Sequence, residues 1–216
     1  MAIVFRGSKV KSVFRLNGAD ENSATYALGW VLEHSQKFRD LVIEAALGEA
    51  LPSPNAVITM QKFGPDKGYT DLEIEDGQNF HVIFEAKRWW ELPSSDQINR
   101  YLPRLKVSSA KKRCFATLSA ADVAQAKRQL PSEIDGERLT HLSWRDMQRM
   151  ARKAEKLESS HAPKLWLRHF NQHLEEYVAM ERVSDNRVYV VALSRARINP
   201  ASAYSWLDVV EKDARY

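Results

Sequence analysis

The sequence predicts an α/β protein, a mixed central sheet flanked by helices, and three observations carry that prediction. Between Phe80 and Lys87 the residues Val82, Ile83 and Phe84 follow one another without a polar interruption, which makes both faces of a strand apolar and places it centrally, covered on two sides. In the second half, short apolar runs alternate with segments of helical periodicity, the pattern of strands joined by helical crossovers. Ahead of them, Tyr26, Leu28, Val31, Leu32, Phe38, Leu41, Val42 and Ala45 recur at helical spacing, so a helical segment precedes the sheet.

Taken in order, residues 1–18 are an arm with one short strand at Ile3–Phe5, ending at the turn signal Asn17-Gly18. Asp20 to Ser23 offer several helix caps, and His34-Ser35 divides the helical segment in two before Gly48 and Pro52 close it. Strands are expected at Asn55–Phe63, Thr70–Glu75 and Phe80–Lys87. A short helix runs from Ser94 to about Leu102, where Pro103 should end or kink it. A strand at Lys112–Leu118, a helix at Ser119–Leu130 capped by Ser119, a strand at Arg138–Ser143 and a basic amphipathic helix at Trp144–Leu157 follow. The first domain is thus expected over residues 1–158. Residues 159–216 form a helix-strand extension, with a helix at Leu165–Arg182 and a strand at Val188–Leu193, that could begin a second module.

With 44% apolar residues the 216-residue chain has enough material for a real core. The net charge of +4 is compatible with a polyanionic partner and equally with basic solvated faces. One cysteine, Cys114, excludes an internal disulfide framework and favours a reducing, cytoplasmic setting. No apolar run approaches a membrane span, so no membrane partner is expected.

The chemistry concentrates between Gly68 and Tyr101. Residues two apart on a strand face the same way, so Glu85 and Lys87 point together while Ala86 faces the opposite layer. Asp71 opens the neighbouring strand, within reach of Glu85. Two carboxylates with a lysine suit a hard divalent cation, which takes oxygen ligands and keeps several waters. Such an ion neutralises phosphoryl charge and generates hydroxide near neutral pH, and Lys87 beside it could hold or deprotonate the attacking water. Gln97 and Tyr101 lie one helical turn apart and face one way.

Asp71, then Glu85-Ala86-Lys87, then Gln97-x-x-x-Tyr101 resembles the PD-(D/E)XK nuclease superfamily, in its RecB-like branch with a QxxxY motif. The strict proline-aspartate pair is absent, since Thr70 precedes Asp71. The resemblance covers roughly residues 20 to 145. It implies a restriction-endonuclease-like αβββαβ core, Mg²⁺ dependence with Mn²⁺ as substitute, DNA as substrate and 5′-phosphate products. It assigns Asp71 and Glu85 as metal ligands, Glu21 on the first helix as a further acidic ligand, Lys87 as base or water anchor, and Gln97 and Tyr101 as site residues.

Plainer readings stand beside these. Glu85 and Lys87 could form an ion pair at a strand end, and Asp71 could be a turn residue. Glu73 and Glu75 share the face of Asp71 as rival ligands, and Glu21 could simply favour a helix N-terminus. Ser94-x-x-Gln97 is also a capping box, and Tyr101 could be core. Trp89-Trp90 could stack bases or cap the core, and Arg145, Arg149, Arg152, Lys153 and Lys156 could track phosphates or line a solvated face. His169 and His173 read as surface. The alternative to a nuclease is a nucleic-acid-binding or partner-docking module on the same fold. A homodimer and a protein partner for the extension remain open.

Overall fold

The central strand is where the apolar run places it. In the computed structural model, which describes residues 3–5, 8–18, 21–87 and 89–177 (the backbone alone for 4, 5, 8, 9, 21 and 177), β5 (Phe80–Ala86) is buried along its whole length. Every described element lies within Met1–Met180, and the strand expected at Val188–Leu193 falls outside the described residues.

A short hairpin, β1 (Ile3–Phe5) with β2 (Ser8–Val10), precedes a 3₁₀ turn at Val13–Asn17. Helices α1 (Glu21–His34) and α2 (Gln36–Leu47) follow, parted at Ser35, whose hydroxyl caps α2 by accepting the Phe38 amide. Six strands then form one mixed sheet. Its order is β3 (Val57–Phe63), β4 (Tyr69–Asp76), β5, β6 (Lys112–Ser119), β8 (Glu137–Ser143) and β7 (Glu133–Ile134). β3, β4 and β5 run antiparallel through tight connections. β5, β6 and β8 are parallel, so each connection crosses over through a helix, α3 (Ser95–Lys106) and α4 (Val123–Gln129). α5 (Trp144–Leu157) and α6 (His161–Tyr177) complete the described chain.

The sheet separates two cores. On one face Leu72, Ile74, Val82, Phe84 and Ala86 pack with residues of α1, α2, α5 and α6. On the other, Ile83 and Phe115 meet Ile98, Tyr101, Leu102 and Leu105 of α3 in a smaller cluster. The α/β class and the flanked mixed sheet are as the periodicity predicts.

Three local expectations are corrected. Pro103 lies inside α3 instead of ending it, because Arg104 and Leu105 beyond it are buried and hold the last turn in place. α4 begins later than expected and is capped by Asp122; the Ser119 hydroxyl instead accepts the Ala121 amide. His173 is fully buried instead of exposed, set edge-on to Phe14. Burial pushes its imidazole down to about 4.

Candidate active site

The β4–β5 register that pairs Leu72 with Phe84 brings Asp71 level with Glu85, both on the α3 face. The Ala86 amide donates to Asp71 Oδ2 at 2.8 Å, anchoring that carboxylate against the backbone between Glu85 and Lys87. Glu85 Oε1 accepts from two sides, from Lys87 Nζ at 3.2 Å and from Gln97 Nε2 at 3.1 Å. Asp71 and Glu85 are 9% and 4% exposed, so both carboxylates are buried where each interaction is strong. The backbone of Lys87 is fixed as well. Its amide donates to Leu118 O at 2.6 Å, and its carbonyl accepts the Trp144 indole N–H at 2.8 Å.

Gln97 fills both roles that its sequence position offers. Its side-chain oxygen accepts the Ser94 amide and its own amide donates to Ser94 Oγ, closing the capping box. Its side-chain nitrogen is left to reach Glu85. Tyr101 is placed differently. Its ring belongs to the α3 cluster, and its hydroxyl donates to Tyr69 O at 2.9 Å, two residues before Asp71. Burial, with the Glu85 charge nearby, raises its phenol above the ordinary range. Glu21 begins α1, and its side chain lies outside the described atoms.

Gln61 joins the site without having been singled out in the sequence. It lies between the pairs Met60–Leu72 and Lys62–Thr70, opposite Asp71, with a left-handed φ of 51°. Its amide nitrogen donates to Asp71 Oδ1 at 3.3 Å and, weakly, to Asn22 Oδ1 at 3.5 Å. An ionised Asp71 can only accept, so the nitrogen must face it. Gln61 therefore ties the first turn of α1 to Asp71. Strained backbone of this kind gathers at functional sites, but nothing in the linear pattern marks the residue.

The rival carboxylates are engaged elsewhere. Glu73 Oε2 lies 3.0 Å from His81 Nε2 and accepts from Lys62 Nζ at 2.9 Å, while Oε1 accepts from Thr70 and Arg104. Burial alone would push this carboxyl up, but the bonds from His81, Lys62 and Thr70 outweigh it and hold it down to about 2. Glu75 pairs at the surface with Lys62. Of the basic residues on α5, Arg149 pairs with Asp146 and Arg152 with Glu175 of α6. Trp89 and Trp90 stack, half-buried, on each other. Cys114 is buried and its thiol pushed up to about 12, which removes it as a nucleophile.

Among the described residues no group of three or more His, Cys, Asp or Glu is gathered as a metal site. The donor set at Asp71 and Glu85 is two hard oxygen groups without sulfur or imidazole. That suits Mg²⁺, which keeps several of its waters and is commonly held by one or two carboxylates.

No protein-family model matches this chain, and no curated protein matches it. Among solved structures, the chain is similar to one in the refined half-complex from the tetradecameric assembly of Thermococcus gammatolerans McrB AAA+ hexamers with bound McrC, at 16% identity and a TM-score of 0.28. The match covers 55% of this chain and 29% of that one. So low a score carries no argument about fold or chemistry.

Proposed function

We propose that this chain is a Mg²⁺-dependent deoxyribonuclease built on a PD-(D/E)XK-like αβββαβ core. The observation that carries the reading is the convergence of Lys87 and Gln97 on one oxygen of Glu85, beside an Asp71 anchored at the Ala86 amide. A simple strand-end ion pair has no need of the third and fourth groups.

Asp71 and Glu85 would hold the cation, with Glu21 at the head of α1 as the further acidic ligand. When bound, the cation neutralises phosphoryl charge and lowers the pKa of a bound water. Lys87 Nζ, on the same strand face as Glu85, holds the attacking water and moves its proton. Gln97 keeps the Glu85 carboxylate turned toward Lys87, and Gln61 and the Ala86 amide fix the two oxygens of Asp71. The residues thus orient charge and water ahead of the reaction, which is where electrostatic catalysis gains most.

The test is cleavage of plasmid and single-stranded DNA with Mg²⁺, Mn²⁺, Ca²⁺ or excess EDTA, by the wild type and by Asp71→Ala, Glu85→Ala and Lys87→Ala. Mg²⁺ and Mn²⁺ should support cleavage and Ca²⁺ little, and each substitution should cost roughly a hundred-fold or more while the protein stays folded. Undiminished cleavage in EDTA, or full activity in Glu85→Ala, refutes the assignment. DNA bound with salt dependence but never cut would instead indicate a binding module.

A further inference from the structure

We infer that the hairpin joining β3 to β4 is a platform for the unpaired bases of a single-stranded nucleic acid. The inference rests on the reading of Asp71, Glu85 and Lys87 as a phosphodiester-cleaving site, and it names that site's substrate as single-stranded. Phe63 and Tyr69 close the hairpin as paired residues, and their rings meet at 4.9 Å between centroids. Both large rings are left in solvent, 59% and 55% exposed. Tyr69 shares the face of Asp71, two residues or roughly 7 Å away along the strand. Extending the β4–β5 register brings it level with Lys87.

The hairpin is rigid. Arg104, itself buried, reaches up from α3 and donates to Gly68 O at 2.7 Å and Lys62 O at 2.9 Å, and it pairs with Asp66 at 2.5 Å. The Tyr101 hydroxyl holds Tyr69 O from the same helix. The loop lies so close to α3 that a Cβ on Gly64 would come within 2.4 Å of the Arg104 guanidinium, and one on Gly68 within 2.9 Å of the Tyr101 ring. A buried arginine, two close-packed glycines and a tyrosine hydroxyl therefore fix a segment whose outer side is two solvent-facing rings. Preorganised aromatic area of that kind binds planar groups with little loss of conformational freedom.

Charge selects which planar group. Lys67 at the loop tip and Arg100 on α3, whose side chain would lie 3.1 Å from a Cβ on Gly68, are both exposed cations at the hairpin loop. Rings for faces and cations for phosphates are the two elements of single-strand recognition. In a duplex the base faces are covered by their stacking neighbours, so the platform can engage only bases that are unpaired or splayed from an end. Phosphates alone would need no rings.

The test measures binding in EDTA, so that cleavage plays no part. Fluorescence anisotropy follows a labelled oligothymidylate, an abasic strand of equal length and the matching duplex, with wild-type protein, Phe63→Ala/Tyr69→Ala and Phe63→Leu/Tyr69→Leu. The leucine pair keeps apolar bulk without π faces, and circular dichroism reports whether each variant is folded. The wild type should prefer oligothymidylate over both rivals by about ten-fold or more, and loss of the rings should abolish that preference. Equal binding of the abasic strand and oligothymidylate overturns the platform. So does a preference that survives in the leucine pair, or a wild-type dimer that the ring substitutions dissociate, which would make the patch a self-association surface. Lys87→Ala should keep the preference while losing cleavage. If the wild type cuts nothing in Mg²⁺ yet keeps the preference, the enzymatic reading falls and the platform stands.

Discussion

Gln97 shows how one amide can serve two ends. Its oxygen completes the α3 capping box and its nitrogen donates to Glu85. Gln97→Glu keeps the capping partner but replaces the donor with a second carboxylate at hydrogen-bond distance from Glu85, and two such groups cannot both ionise cheaply. Cleavage should slow about ten-fold or more, and thermal melting should show the variant no more stable than the wild type. Wild-type kinetics with raised stability would leave Gln97 a helix cap only. Tyr101 makes the opposite case, since its hydroxyl is engaged with the Tyr69 carbonyl and not with the carboxylates. Tyr101→Phe should cost about 1 kcal/mol in urea unfolding, with the cleavage rate at a temperature well below melting within about two-fold of wild type. A ten-fold rate loss at unchanged stability would return the hydroxyl to the chemistry.

At the scale of the element, β4 carries two charged centres on one face, Asp71 beside Glu85 and Glu73 in the network that anchors α3 through Arg104. Asp71 accepts from the Gln61 and Ala86 amides, Glu73 from Lys62, Thr70 and Arg104. The network predicts how stability depends on pH. Folded Glu73 titrates at about 2 against an ordinary 4.5, so the native state holds its charge where the unfolded chain has taken up a proton. Its contribution, on the order of 3 kcal/mol, is complete above about pH 4.5 and is lost as the pH falls toward 2. Melting temperatures across that window should fall steeply for the wild type and less for Glu73→Gln, which is already destabilised at neutral pH. Parallel curves would contradict the network.

For the molecule as a whole, the reach of the core into α6 matters most. Leu167, Phe170 and Leu174 are fully buried, packed with residues of α1 and α5 in the larger core. Each such side chain contributes about 1.5–3 kcal/mol by burial, a large share of a domain's typical net stability of about 5–15 kcal/mol. A chain ended at Glu158, where the sequence places the close of the first domain, should therefore unfold at much lower urea than one ended at Tyr177. Equal urea midpoints for the two would show that α6 is dispensable. None of the described helices is long and apolar enough to cross a membrane.

What the sequence determines by itself is what local physics controls. Strand periodicity puts Glu85 and Lys87 on one face and buries β5 on both, hydroxyl caps place the breaks at Ser35 and Ser94, and the spacing of Gln97 and Tyr101 sets both on one side of α3. The tertiary structure decided what depends on contacts between distant segments. The left-handed turn that aims Gln61 at Asp71 exists only opposite β4, and Pro103 is tolerated only because Arg104 beyond it is held by Glu73 and Asp66. His173 is a core residue only because α6 lays it against Phe14. Glu73 and Asp71 are the same kind of residue two positions apart, and their different roles follow from which donors lie across from each, something that spacing along one strand cannot encode.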